Sequence, residues 1–433
     1  MEAMSEFDAI VVGAGPAGTS AAIKMASSGM NVLLVERADP PGTKNVSGGV
    51  LWGNDLEKII PGWEKQAPYE RVVESKAVGF LTRDSLINID FRSRRLAEKA
   101  TGHIVLRARL DQWLARKARE AGAMVISGVT VERVAVQDGV VKGVEQGGDL
   151  ITSDVVILAE GANPRVAIDS GLRPPLRDED VAIGVKEIIK LGEEKINERF
   201  NLRGKSGFAG EYVLGFLPEG VKAGGFLYTN KDTVSLGVVV SMKDLRKNGS
   251  TYSFDIIEEF AEHPYIAPMI EGGKVEEYSA HLVQEGGIQG VPKLYGNGYM
   301  IAGDAAGFSF SNGLVLQGMN YAIASGIAAA ETAIEAKSKN NFSEEALAAY
   351  RERLMNSFVL RDLLDFRGIQ GVTWSDTVHR VIPRVMEGVF EQLFTEDSQP
   401  KKHISRIVMD ALSRSGMKTS DAIIEGYRMM RRM

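Results

Sequence analysis

"FDAIVVGAGPAGTSAAIKMASSGMNVLLVERA" occupies residues 7–38. Residues 9–12 are a short apolar run, read as a buried parallel strand. Gly13, Ala14, Gly15, Pro16, Ala17 and Gly18 follow as a turn. The Ala-rich residues 19–28 then read as a helix that Gly29 ends. Residues 31–35 form a second buried strand with Glu36 at its tip. An acid ~20 residues after such a glycine turn is the layout of a dinucleotide site. Each residue type has a task. Gly13 permits the tight turn, Gly15 lets the backbone approach a pyrophosphate, and Gly18 lets the helix pack close to the strand. The helix N-terminus turns unpaired N–H groups and partial positive charge toward phosphates. Glu36 can accept both hydroxyls of an adenosine ribose.

A second glycine-rich stretch, "AGDAAGFSFSNGLVLQGMNYA" at residues 302–322, follows another buried strand. It offers Asp304 in a Gly/Ala turn with Gly303, then a helix N-terminus near Gly318. Two such motifs converge on one elongated ligand. A bare NAD site does not need the second; FAD does. Asp304 can bond a ribityl hydroxyl. The helix N-terminus can point N–H groups at the pyrimidine edge of the isoalloxazine, where its partial charge favours the anionic reduced flavin. Phe308 and Phe310 alternate with serines between these features. Lining a quinone channel and packing in the core are both open to them.

Between the motifs, residues 37–52 carry two prolines and three glycines and read as an ordered loop approaching a ligand. Leu110, Leu114 and Ala118 mark an amphipathic helix from residue 106 that Ala121 and Gly122 end. Residues 123–126, 130–136 and 150–159 read as strands, with a hairpin turn at Gly139. The last strand runs into Ala159, Glu160 and Gly161, a second strand-to-turn crossing. Residues 181–242 are short β-type runs with Gly, Asn and Asp turns, and with residues 77–93 they suggest a separate, mostly antiparallel sheet. From Ser343, an N-cap candidate, the chain reads as helical, and residues 401–433 are basic.

The expected fold is therefore α/β: a two-dinucleotide-type FAD-binding fold, glutathione reductase-like, with an inserted antiparallel sheet and a helical C-terminal region. The FAD-binding domain is expected to comprise residues 1–76, 102–165 and 286–340. The inserted quinone or substrate domain takes 77–101 and 166–285, and the helical region 341–433.

Composition narrows the chemistry. A net charge of −6 argues against bulk nucleic-acid binding. With no cysteine there is no disulfide, thiol nucleophile or cysteine-ligated iron–sulfur cluster in this chain. The five histidines are scattered without metal-ligand spacing, so no metal is expected. No apolar run approaches the ~18 residues of a spanning helix, and the opening "MEAMSEFD" has no signal-peptide character. The expected location is cytoplasmic, peripherally associated with the inner face of the cell membrane.

The glycine turn with Glu36, "GTKNVSGG", "LRARLDQWLA", "ILAEGANP" and "GLVLQGMNYAIASGIAAAE" together resemble the electron transfer flavoprotein–quinone oxidoreductase family, in particular its FixC-like subunits. The resemblance covers nearly the whole chain. It implies that Gly13, Ala14, Gly15, Pro16, Ala17, Gly18, Glu36 and Arg37 hold the ADP half of FAD. By the same resemblance Lys44, Asn45, Val46, Ser47 and Gly48 line the middle of the cofactor and its ring. Arg107 reaches the pyrophosphate region, Gly303 and Asp304 hold the ribityl chain, and Gly318 and Met319 meet the pyrimidine edge. Val131, Ala159, Glu160 and Gly161 are further cofactor-site candidates.

Longer relatives end in a cysteine-rich domain holding a [4Fe–4S] cluster. The FixC-like branch carries it on a separate ferredoxin-like subunit, for which the basic tail is one candidate dock; a solvated basic face is the other reading. The implied partners are the electron transfer flavoprotein α and β subunits, that small subunit and a membrane quinone, menaquinone or ubiquinone. The branch also implies NADH-dependent electron bifurcation that reduces ferredoxin. Two other readings stay open: an FAD-dependent polyprenyl reductase of the geranylgeranyl type, and a flavin-binding scaffold subunit that does not turn over.

Overall fold

The computed structural model describes residues 5–44, 49–99, 101–312, 315–417 and 419–432. Its first sheet has five parallel strands in the spatial order Tyr299–Ile301, Asp149–Leu158, Phe7–Val12, Val32–Glu36, Met124–Ser127. The opening strand lies at the centre, buried on both faces, which is why it reads as a continuous apolar run. Helix Pro16–Ser27 leaves the tip of that strand, with Pro16 in its first turn, and is buried along most of its length. Helix Met319–Ser338 packs directly on it. Two strands, Arg133–Gln137 and Val140–Gln146, form an antiparallel meander on the outer half of Asp149–Leu158, turning at Gly139 with φ +74°.

The second sheet has eight strands in line, ordered Lys274–Gln284, Val181–Lys190, Thr233–Ser241, Ala223–Thr229, Ser206–Leu214, Tyr69–Leu81, Gly102–Val105, Gly49–Trp52, with Leu86–Arg92 added on Tyr69–Leu81. All its pairings are antiparallel except Ser206–Leu214 with Tyr69–Leu81. One face buries Val185, Leu227, Leu236 and Val238 under helix Ser253–Glu262. The other faces the nucleotide-binding unit.

The sheet boundaries differ from the sequence expectation. Residues 49–52, read as loop, are a strand; this strand and the first half of Tyr69–Leu81 join the second sheet ahead of the expected boundary at residue 77, and Gly102–Val105 joins it beyond the expected boundary at residue 101. The strand is short and pairs with residues some fifty positions away, so no local periodicity marks it. The C-terminal region is helical, with the Ser343 hydroxyl accepting the Ala346 N–H at 3.4 Å. It is not a separate body: Leu347, Tyr350, Leu354, Val359, Leu360 and Leu363 join the core of the nucleotide unit, and helix Ile382–Phe394 lies against the second sheet. Among the described residues no helix is long and apolar enough to cross a membrane.

Candidate cofactor and active site

The two sheets enclose a cavity of about 680 Å³. Its floor is the glycine turn. Gly13 has φ +102°, and a Cβ there would lie 2.3 Å from the Ala159 carbonyl oxygen. A Cβ on Gly18 would lie 1.9 Å from the Gly13 carbonyl oxygen. No side chain fits at either place, so the backbone is held close for geometric reasons. The carboxylate of Glu36 folds over the turn and accepts the Ala14 and Ala38 N–H groups, each at 2.7 Å. Each oxygen keeps a further lone pair for a hydroxyl. Arg37 and Val131 line the same end.

Arg107 stands above Gly15, its Nη2 3.5 Å from where a Cβ would be. Asp111, one turn along the same helix and fully buried, holds the guanidinium through two bonds of 2.8 Å. Burial opposes the charge on Arg107, but Asp111, Asp304 and Glu36 outweigh it and keep its pKa above the ordinary value. The cation is fixed over the mouth of the helix, where a pyrophosphate needs it.

At the other end, Gly303 takes φ +64° and donates its N–H to Ser325 Oγ at 3.0 Å. That places Asp304 on the cavity wall, where burial raises its pKa and Arg107 and His281 pull it back. Gly318 ends in the open first turn of the 20-residue helix Met319–Ser338, which has no side-chain cap. Asn320 in that turn is buried, and its Oδ1 has no hydrogen-bond partner among the described residues. Gly318 and Met319 both line the cavity.

Of the other predicted site residues, Lys44 lines the cavity, with its Nζ 3.4 Å from the Arg37 carbonyl oxygen, while Asn45, Val46, Ser47 and Gly48 lie outside the described residues. Ala159 and Gly161 border the glycine turn. Glu160 lines the cavity, but its two oxygens accept the Val166 and Ala167 N–H groups at 2.6 and 2.9 Å and close the helix Arg165–Asp169. Burial pushes its pKa up to about 7 against those bonds and Arg173. Phe308 and Phe310 are packed in the core: Phe308 is fully buried, and Phe310 stacks on Tyr321 at 5.6 Å and meets Phe366 edge-on. Of their two readings, this is the packing one.

Sequence reading missed the far wall. Phe226, Tyr228, Val239, Gly184 and His281 reach the cavity from the second sheet, and alternation along β runs was the signal available for them. It also missed Gly326, where a Cβ would sit 2.1 Å from the Ala17 carbonyl oxygen, so the two helices at the site touch there backbone to backbone. The small residues around it were the trace.

A buried pyrophosphate cradle, a ribose acid, a second acid at the ring end and an open helix N-terminus are the parts an FAD site requires, and the orphaned Asn320 oxygen and the two sterically closed glycines fit that group. Fold and site together define an FAD-dependent oxidoreductase. Residues 7–167 match the pyridine nucleotide-disulphide oxidoreductase family, and residues 181–283 match the ETF-QO, ubiquinone-binding family. The chain is 42% identical to the probable electron transfer flavoprotein-quinone oxidoreductase YdiS of Escherichia coli K12, over 95% of this chain and 96% of that one. It is 40% identical to protein FixC of the same strain, over 96% and 99%. The chain belongs to the electron transfer flavoprotein–quinone oxidoreductase family. A geranylgeranyl bacteriochlorophyll reductase-like protein from Thermoplasma acidophilum shares the fold, with TM-score 0.69 at 21% identity over 99% of this chain and 100% of that one. The flavin-dependent brominase Bmp2 triple mutant does so at TM-score 0.63 and 18% identity, over 98% and 100%.

Proposed function

We propose that this chain is the FAD subunit of an electron-transfer-flavoprotein complex that reduces a membrane quinone, menaquinone or ubiquinone. Electrons come from a partner flavoprotein through a small iron–sulfur subunit, within an NADH-dependent bifurcating assembly that also reduces ferredoxin. One observation carries the reading. The cavity has the glycine cradle as one wall, and as the other the sheet whose residues 181–283 match the ubiquinone-binding family. A second substrate entering that cavity meets the cofactor at its ring end. With no cysteine among its 433 residues, the chain leaves a [4Fe–4S] cluster to its partner in this scheme.

Bound FAD would supply two-electron chemistry. The protein's part is to hold it. Glu36 takes the ribose, Arg107 and the N-terminus of Pro16–Ser27 take the pyrophosphate, and Asp304 takes the ribityl chain. The N–H groups after Gly318 stabilise negative charge at the pyrimidine edge.

Attachment to the inner face of the cell membrane is supported by an apolar patch. Ile89 and Phe91, 61% and 59% exposed, lie on Leu86–Arg92. Helix Ile382–Phe394 touches that strand and leaves Phe390, Leu393 and Phe394 exposed. Contiguous exposed apolar side chains of this kind mark a surface that is covered in use.

The test is purification of the chain with its native partners, flavin and iron analysis, and anaerobic electron transfer from NADH to a menaquinone analogue. Quinol formation that requires all subunits is expected. An isolated chain that reduces a polyprenyl substrate without an iron–sulfur partner would instead make it a reductase. A bound flavin that the assembled partners cannot reduce would make it a scaffold.

A further inference from the structure

The wall that the second sheet gives the cavity is mostly apolar or glycine, with Gly184, Phe226, Val239 and Val283 along it. Among the described residues two side chains of that wall titrate, Tyr228 and His281. Tyr228 is already engaged. Its hydroxyl donates to Glu211 at 3.5 Å, and Glu211 pairs with Lys76 at 2.6 Å. Burial and the Glu211 charge hold the phenol well above its ordinary pKa.

His281 is placed differently. It lies on Lys274–Gln284 directly across from Gly184, and facing residues of paired strands share a face. Its Nδ1 is 2.8 Å from the Leu282 carbonyl oxygen. A carbonyl only accepts, so Nδ1 carries the hydrogen of the neutral ring, and the second proton of the imidazolium sits on Nε2. Nε2 makes no hydrogen bond among the described residues, and it is not sealed from the cavity that the ring lines. One nitrogen, with its tautomer fixed from behind, is thereby offered to whatever occupies that space.

The charged groups around the imidazole come from both walls. On the nucleotide side is Asp304: burial raises its pKa, and Arg107 and then His281 lie near enough to pull it back. On the sheet, Glu277 lies across from Ile188, and the buried Lys186 across from Ser279. Tyr228 and the Glu211–Lys76 pair stand three or more strands away. The groups assigned above to the cofactor, Glu36, Arg107, Asp304 and the helix end at Gly318, all belong to the nucleotide unit. His281 reaches in from the opposite wall, within the residues 181–283 that match the ubiquinone-binding family.

We propose that His281 delivers a proton to the quinone reduced in this cavity, an inference that rests on the quinone-reducing reading above. A quinone becomes its quinol by taking two electrons and two protons. Both electrons and one proton come from the reduced cofactor, which is oxidised. The second proton comes from His281: the Nε2–H bond of the imidazolium breaks, and an O–H bond forms on the quinone's other oxygen. The neutral imidazole keeps its Nδ1–H on the Leu282 carbonyl, so the ring need not turn. Nε2 then recovers a proton from solvent before the next turnover. A histidine suits the step because it is the side chain that ordinarily gains and loses a proton between about pH 5 and 8.

The experiment uses the holoenzyme with its partners. Quinone reduction is compared with reduction of ferrocenium, which takes one electron and no proton, from about pH 5.5 to 9. His281→Asn keeps an N–H for the Leu282 carbonyl but carries no acid in place of Nε2; His281→Ala removes both. In the wild type, quinone reduction should fall as pH rises, because the imidazolium is the donor, while ferrocenium reduction should not. Both variants should lower the quinone-to-ferrocenium rate ratio by about 100-fold and lose that pH dependence, with flavin content unchanged. Added imidazole should restore the ratio in His281→Ala. A second measurement does not involve turnover. In the flavin-loaded chain labelled with 15N-histidine, the ring resonances missing from His281→Asn should be those of a neutral imidazole protonated on Nδ1. A ratio and pH profile unchanged in His281→Asn, or a neutral ring protonated on Nε2, would overturn the proposal. So would loss of flavin from His281→Asn with the ratio intact, which would put the ring on the cofactor instead. A wild-type complex that reduces ferrocenium but no quinone would sink the quinone reading, and this inference with it.

Discussion

Asp304 and Glu285 are two acids set differently by their surroundings. Asp304 faces the cavity between Arg107 and His281 and is held there by the left-handed turn at Gly303. Asp304→Ala should cut the flavin retained on purification several-fold while leaving the far-ultraviolet dichroism unchanged. Full flavin occupancy in that variant would remove Asp304 from the site. Glu285 is buried beside Trp374, whose ring N–H it accepts, and burial pushes its pKa from 4.5 up to about 7. A carboxyl whose folded pKa is raised stabilises the fold fully below pH 4.5 and loses that contribution as pH rises through about 7. Glu285→Gln keeps an acceptor for Trp374 without a charge. The variant should therefore be more stable than the wild type above pH 7, by something on the order of 3 kcal/mol, with the two converging in acid. Denaturant unfolding at pH 5 and pH 8 measures the difference, and equal gaps at both would refute it.

Besides the Ser325 hydroxyl that accepts the Gly303 N–H, two contacts of helix Met319–Ser338 fix where its N-terminus points. One is Gly326 against the Ala17 carbonyl, the other Tyr321, whose hydroxyl donates to Asp362 at 2.5 Å. Gly326→Val cannot keep the first without moving a helix. It should cost about 2–3 kcal/mol by overpacking and also weaken flavin retention, because the two helix N-termini that face the cofactor would be levered apart. Loss of stability with undiminished flavin content would show that the contact is packing alone. The parts of the site that sequence alone disclosed are those where a missing side chain has a local cause. Gly18 meets the Gly13 carbonyl and Glu36 the Ala14 N–H, so both are dictated within one strand-helix-strand unit. The strand Gly49–Trp52 and the cavity wall at Phe226 and Tyr228 depend on partners far along the chain, and nothing nearby records the pairing.

The assembled molecule presents Ile89, Phe91 and Phe394 out of its surface, on a strand and a helix that touch each other. Replacing all three with serine should leave the fold and flavin content intact, since none belongs to the core. Co-sedimentation with phospholipid vesicles should fall at least tenfold, as about 25 cal/mol per Å² of apolar surface is lost from the contact. Vesicle binding equal to wild type would place the membrane contact elsewhere.

The walls of the cavity at Gly13 and Gly318 lie at nearly opposite ends of the nucleotide-binding sequence, with the whole second sheet threaded between them. A ribosome therefore releases the adenosine half of the cradle long before the half that meets the flavin ring. Until the helix at residues 319–338 has emerged and docked through Gly326, the nascent chain holds a site open on one side. Loading with cofactor is thus tied to the last quarter of synthesis.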